Sequence, residues 1–275
     1  MKASKAIKQD TKWVFIKKGT CSRTLFYILN REFGYPHEAE EKAIDPLAGG
    51  IMQNGYQCGQ LWGASAAVGA EAFRRHKELT KATLITVETS TKLIESFKKR
   101  AETTECEDFI GTRVDNNKDV LRLMVSGKFF KCFKLADRWA PEAIKTAHEG
   151  LDSDYEDLSA NCLSCASMVV KKMGGTDEQA AMVAGWAGGL GLSGSGCGAL
   201  SAAIWMATYN YEKKHGKSPY PCPDAETVLK KYLDVADYEF DCKVITGRIF
   251  ENISDHTEYL EQGGCKKIID TIAQV

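Results

Sequence analysis

The chain lacks the features that would mark several common protein classes. It has no run of about 18 or more uninterrupted apolar residues, the length a membrane-spanning helix needs. Its longest apolar-rich region, Ala181–Tyr209, is broken by seven glycines. Met1–Trp13 has lysines with no apolar core after them, so it does not read as a secretory signal. Neither charge sign prevails: 36 Lys and Arg stand against 37 Asp and Glu, a net charge of −1. Composition therefore forces no basic face of the kind nucleic acid requires. Only 6 prolines occur, which leaves long helices possible. The five histidines, His37, His76, His148, His215 and His256, show no metal-ligand spacing, and solvated or capping positions are expected for them. These absences predict a cytoplasmic protein with neither a membrane nor a nucleic acid as partner.

Cysteine is what the chain does have. Ten cysteines in 275 residues need a reason in a chain without an export signal. In a reducing compartment structural disulfides rarely persist, and such cysteines are more often metal ligands or redox-active thiols.

The cysteines are arranged in a repeat. Shifting the chain by 139 residues lays Ala48-Gly49-Gly50 on Ala187-Gly188-Gly189, Gly55 on Gly194, Cys58-Gly59 on Cys197-Gly198, Leu61 on Leu200 and Ala64 on Ala203. That makes eight identities in seventeen positions, where composition alone gives roughly one or two. With small drifts Cys106 aligns with Cys242 and Cys132 with Cys265, while Cys21 aligns with either Cys162 or Cys165. Apolar residues at matching offsets, Leu25, Phe26 and Leu29 against Val169, Val170 and Met173, favour Cys165. Cys222 has no counterpart. The polar, acidic stretch Asp152–Asp157 suits a linker, so the expected units are residues 1–150 and 151–275.

Helical periodicity dominates both halves. Helices are expected over Cys21–Phe33, ending at Gly34-Tyr35-Pro36, and over Asp177–Trp186, Ala199–Lys214 and Thr227–Val235, with a glycine-rich loop at Gly188–Gly196. Thr83–Val87 is β-branched and ambiguous. The fold class expected is all-α, two pseudo-symmetric helical units from an internal duplication.

Four thiolates suit an iron–sulfur cluster or zinc. The candidate ligands are Cys21, Cys58, Cys106 and Cys132 in the first half, and Cys162 or Cys165 with Cys197, Cys242 and Cys265 in the second. Their separations differ from the tight pairs of zinc modules and from ferredoxin runs, so a whole unit must fold before they converge. Gly55, Gly59, Gly194 and Gly198 are expected beside a bound group. Glycine lets backbone amides approach closely, and a helix starting near Gly59 or Gly198 favours an anion at its N-terminus. Gly189-Leu-Gly191-Leu-Ser-Gly194 matches G-x-G-x-x-G, but a helix stands before it where a dinucleotide site needs a strand. Trp62, Trp186 and Trp205 read as core.

Cys58-Gly59-Gln-Leu-Trp-Gly63 and Cys197-Gly198-Ala-Leu-Ser-Ala202, within the order C…CG…C…C, resemble the signature of the redox-active C_GCAxxG_C_C proteins. The resemblance covers nearly the whole chain, once per half. Gln60 departs from the family's alanine and Ala202 from its last glycine. It implies a redox role with the four cysteines of each unit as working residues, in an intramolecular pseudo-dimer that could pair further as a homodimer. A related protein is the split-Soret cytochrome. This chain has no C-x-x-C-H, so no haem c is expected. The leading expectation is an iron–sulfur electron carrier or small oxidoreductase, served by an electron-transfer protein or a small-molecule redox partner. The alternatives are a metal-free thiol–disulfide protein and a zinc-stabilised structural module.

Overall fold

The computed structural model describes residues 10–112, 127–155, 161–217 and 219–275. The start of the N-terminal stretch (residues 1–9) and Glu156 and Asp157 of the acidic linker lie outside the described residues. The first half contains α1 (Thr11–Lys18), α2 (Cys21–Phe33), α3 (Glu38–Ala43), α4 (Gly59–His76), α5 (Leu79–Ala101), α6 (Cys106–Ile110) and α7 (Phe129–Leu151). The second contains α8 (Cys165–Lys172), α9 (Asp177–Met182), α10 (Gly198–His215), α11 (Pro223–Val235), α12 (Cys242–Thr246), α13 (Ile253–Glu261) and α14 (Lys266–Ile272). Among the described residues there is no strand, only an isolated antiparallel bridge between Gln57 and Glu105. The fold is all-α, as the periodicity predicts. No helix of the described residues is long and apolar enough to cross a membrane.

Local chemistry accounts for the elements. α2 buries Leu25, Phe26, Ile28 and Leu29 and stops at Gly34, whose φ of 85° is the left-handed cap that glycine accepts. α4 ends on Arg74 and Arg75, cations that favour a helix C-terminus. The β-branched run Thr83–Val87 is helical, inside α5. Glu78 caps that helix by accepting from the N–H groups of Thr80 and Lys81 at 2.7 and 2.6 Å, and burial of the run outweighs a small propensity cost. The expected helix Asp177–Trp186 starts with a capping box, Thr176 and Gln179 bonding reciprocally. It stops at Met182 and resumes as a 3-10 turn, Ala184–Trp186. Here Gly185 presses on α5, where a Cβ would lie 2.2 Å from Ser90 Oγ.

The halves correspond element by element at the same shift of 139 residues: α3 with α9, the 3-10 turn Asp45–Leu47 with Ala184–Trp186, and α4 with α10. They pack reciprocally. α9 and the turn after it lie on α4, while α3 and the turn after it lie on α10. That is a self-complementary contact, as in a two-fold dimer, made within one chain. Trp205 Nε1 donates to Glu40 O at 3.1 Å, and Trp62 meets Trp186 edge to face at 5.3 Å. The main apolar core runs from Val14 to Ile272 through both halves, with Trp62, Trp139, Trp186 and Trp205 fully buried in it.

The backbones approach closely across this contact at Gly69, where a Cβ would lie 2.1 Å from Ala181 O. G69A therefore forces the halves apart. It is expected to destabilise the protein by about 1–3 kcal/mol, read as a lower urea midpoint with an unchanged slope.

Candidate cysteine centres

In the first half, Cys21 opens α2, Cys58 caps α4, Cys106 opens α6 and Cys132 lies in the first turn of α7. A folded-back loop brings the first three together. At Gly50 (φ 78°) a Cβ would lie 2.3 Å from Tyr56 O, so only glycine lets the loop close. The bridge beyond it links the second and third cysteines. Cys58 N–H donates to Thr104 O and Cys106 N–H to Tyr56 O, both at 2.8 Å, and Glu107 N–H donates to Gly55 O at 2.9 Å. Gly59 leaves room for the first cysteine, since a Cβ there would lie 2.7 Å from Cys21 Sγ. Gln60, which departs from the family's alanine, is buried with its amide N–H 3.5 Å from Cys132 O.

These four cysteines line one cavity of about 360 Å³, walled by Phe109, Ile110 and Phe129. Lys18, Asp45 and Tyr220 stand in its lining as well, Tyr220 coming from the second half. The neighbouring Cys58 thiol and the N–H groups of Gly49 and Ser22 hold the Cys21 thiol below its usual range despite burial. The nearness of Cys21, with burial, pushes Cys58 well up. Burial pushes Cys106 well up and Cys132 to about 12. Burial also raises the Asp45 carboxyl, against the hydroxyl of Thr20 donating at 2.6 Å and the charge of Arg23.

The second half repeats the plan. Cys165 opens α8, Cys197 caps α10, Cys242 opens α12 and Cys265 caps α14 with a φ of 55°. Gly188 N–H faces Cys165 as its mate Gly49 faces Cys21. Gly189 makes the same close approach as Gly50, a Cβ there falling 1.9 Å from Ser195 O. Gly194 O accepts from Lys243 N–H at 2.8 Å, as Gly55 does from Glu107. Gly198 sits against Trp186, where a Cβ would lie 1.8 Å from the carbonyl oxygen. Of the four glycines expected beside a bound group, Gly59 thus packs on a sulfur, while Gly55, Gly194 and Gly198 set the backbone that carries the cysteines.

Burial raises all four thiols of the second set: Cys165, Cys197 and Cys242, and Cys265 to about 11. The N–H groups of Leu200 and Ala199 partly oppose this at Cys197, the expected effect of a helix N-terminus. Cys165, Cys197, Cys242 and Cys265 interact electrostatically with one another. The charged neighbours of Cys162 are Glu78 and Glu88, and it lies in an apolar cluster with Leu84, Val87, Phe250 and Cys242. Cys222 is buried as the cap of α11.

Three tyrosines and one histidine at these centres carry no signal in the repeat. Tyr232 is buried beside Cys197 and donates its hydroxyl to Glu239 O at 2.8 Å. Tyr259 oxygen lies 4.0 Å from Cys265 Sγ. Tyr220 stands at the first cavity. His256, expected in solvent or at a cap, is instead buried. Its Nδ1–H donates to Leu163 O at 3.1 Å, and Thr257 Oγ1 accepts from Leu163 N–H at 2.9 Å. Together they fix the segment that presents Cys165.

Burial lowers the His256 pKa to about 4. The unfolded chain takes up this proton near pH 6.5, so the contribution to stability is complete above that pH and is lost as the pH falls toward 4. The loss is roughly 3 kcal/mol. Urea unfolding at the two pH values is expected to show it, and H256Q to remove that part of the slope.

A family model described as "Putative redox-active protein (C_GCAxxG_C_C)" matches the chain twice, over residues 20–142 and 160–275. No curated protein and no solved structure matches it. The two matches take in both cysteine quartets and the glycine loops that position them, so the chain belongs to the redox-active C_GCAxxG_C_C family and carries that family's unit twice.

Proposed function

We propose that the protein is an electron-transfer protein holding an iron–sulfur cluster in each half, with Cys21, Cys58, Cys106 and Cys132 as ligands in the first and Cys165, Cys197, Cys242 and Cys265 in the second. The observation that carries this reading is the convergence, in the first half, of four cysteines from four separate helices on one cavity of about 360 Å³. The chemistry of the donor set supports it too. Four thiols held mostly neutral by burial make poor nucleophiles for disulfide exchange. They ionise readily once a cation is bound among them, as metal ligation requires.

A single ion fits less well. Among the described residues no group of three or more His, Cys, Asp or Glu side chains could hold one. Zinc needs its four sulfurs at about 2.3 Å from one point. A cluster supplies its own sulfide and iron, so its protein sulfurs stand further apart, around a volume rather than a point. When bound, it would supply reversible one-electron chemistry. This chain's residues hold the sulfurs, exclude water through Phe109, Ile110 and Phe129, and present backbone N–H groups at Cys21 and Cys165. The partner implied is an electron-transfer protein or a small redox molecule.

A second reading rests on the nearness of the Cys58 and Cys21 thiols, which line the same cavity. Cys21 and Cys58 would then close a disulfide, releasing two electrons and two protons to an oxidant.

Protein purified without oxygen is expected to contain iron and acid-labile sulfide in near-equal amounts, with broad visible absorption. C58S and C197S should each remove about half the iron, one site of the two. A colourless, metal-free protein that loses two hydrogens on oxidation, with Cys21 linked to Cys58, would replace the first reading with the second. Stoichiometric zinc without visible absorption would overturn both.

A further inference from the structure

The duplicated fold makes one surface cleft twice, and the two copies differ in charge. In the first half five cations ring a cavity of about 370 Å³: Lys99 and Arg100 in the last turn of α5, and Lys131, Lys134 and Arg138 on α7. Phe109 and Leu135 are its apolar lining, and no acid lines it. With Cys242 laid on Cys106 and Cys265 on Cys132, Val235 and Ala236 take the places of Lys99 and Arg100. Ile245, Lys267 and Ile268 take those of Phe109, Lys134 and Leu135. All five line a cavity of about 450 Å³ in the second half. There Lys266 and Lys267 are matched by Asp237 and Glu239.

The charge of the first cleft is left uncompensated. Arg100 pairs with Glu142. Among the described residues Lys99, Lys131, Lys134 and Arg138 make no ion pair. Lys131, Lys134 and Arg138 are spaced to share one face of α7. Lys131 stands in the first turn of that helix, where the macrodipole disfavours a cation, and no acid stands in that turn. The two longer segments outside the described residues bring no net counter-charge. Residues 113–126 carry Arg113, Lys118 and Arg122 against Asp115 and Asp119, and residues 1–9 carry three lysines and no acid.

The cleft adjoins the first cysteine centre. Phe109 lines both it and the cysteine cavity, and Lys131 directly precedes Cys132. Phe130, next along α7, leaves 71% of its surface in solvent.

We infer that this cleft is the docking surface for a carboxylate-bearing face of an electron-transfer protein. The kind of partner rests on the electron-transfer reading above; the surface rests on its own charge and shape. A cleft lined by one sign of charge focuses the field and steers an oppositely charged partner to it. Its neutral copy in the second half does not, so the partner is directed to the first centre. Apolar and aromatic side chains among charged ones suit a protein interface, with an aromatic core and a polar rim. Nucleic acid binding draws on a long series of phosphate contacts, and here the cations surround one cleft.

The test is titration calorimetry of the full chain against two probes, an acidic ferredoxin and an acidic flavodoxin. It is run at about 10 mM and about 0.15 M salt, between which the Debye length falls from about 30 to about 8 Å. Both probes are expected to bind at low salt and to weaken at the higher. K131Q/K134Q/R138Q should bind them about tenfold more weakly at low salt, the usual worth of three exposed charge pairs. Glutamine is as good a helix former as lysine, and the substitutions relieve repulsion, so this variant is expected to fold. K267Q, the matching charge of the second cleft, should leave the affinity within about twofold. Unchanged affinity in the triple variant, binding that ignores salt, or no binding of either probe overturns the docking surface. A short oligonucleotide held more tightly than both probes also overturns it and gives the cleft to nucleic acid. Protein free of iron and sulfide that still binds the probes overturns the cluster reading and leaves the docking surface standing. Cluster-loaded protein that binds neither does the reverse.

Discussion

The rest of this structure depends on how closely the backbone folds back on itself before the second cysteine of each half. At Gly50 and Gly189 the chain passes so near the segment six residues on that no Cβ fits, the nearest atoms being carbonyl oxygens 2.3 and 1.9 Å from where it would be. That approach turns the loop so that Gly49 and Gly188 aim N–H groups at Cys21 and Cys165. It also places Gly55 and Gly194 to bond the backbone just after Cys106 and Cys242. Three of four sulfurs in each half are thereby positioned by main chain, which holds geometry more firmly than long side chains do.

The same segments join the halves. The short helix and 3-10 turn that lead into each glycine loop pack on the other half's long helix, α3 on α10 and α9 on α4. Neither half completes its core without the other, and Trp62, Trp186 and Trp205 meet at that contact. Fusion removes the concentration dependence a dimer would have. It also lets the two centres diverge, since each position now mutates alone. Gln60 against Ala199, Ile110 against Thr246, and the phenols of Tyr232 and Tyr259 at the second quartet record that divergence.

What the sequence determined by itself was whatever repeats or follows local rules. The all-α class, α2 from Cys21 to Phe33, the helix starts at Gly59 and Gly198, and the pairing of cysteines across the halves all follow from periodicity, caps and the shift of 139 residues. These are short-range or self-referential signals, and folding leaves them unchanged. Tertiary structure decided what depends on neighbours far along the chain. It set Cys165 among Cys197, Cys242 and Cys265, while Cys162 lies in a cluster with Leu84, Val87, Phe250 and Cys242. It buried His256, whose partner is the backbone of Leu163, 93 residues away. It made Thr83–Val87 helical, since packing against the second half outweighs a weak strand preference. And it brought Tyr220, Tyr232 and Tyr259 to the cysteines, because a residue without a repeat partner announces its contacts only when the chain has closed around it.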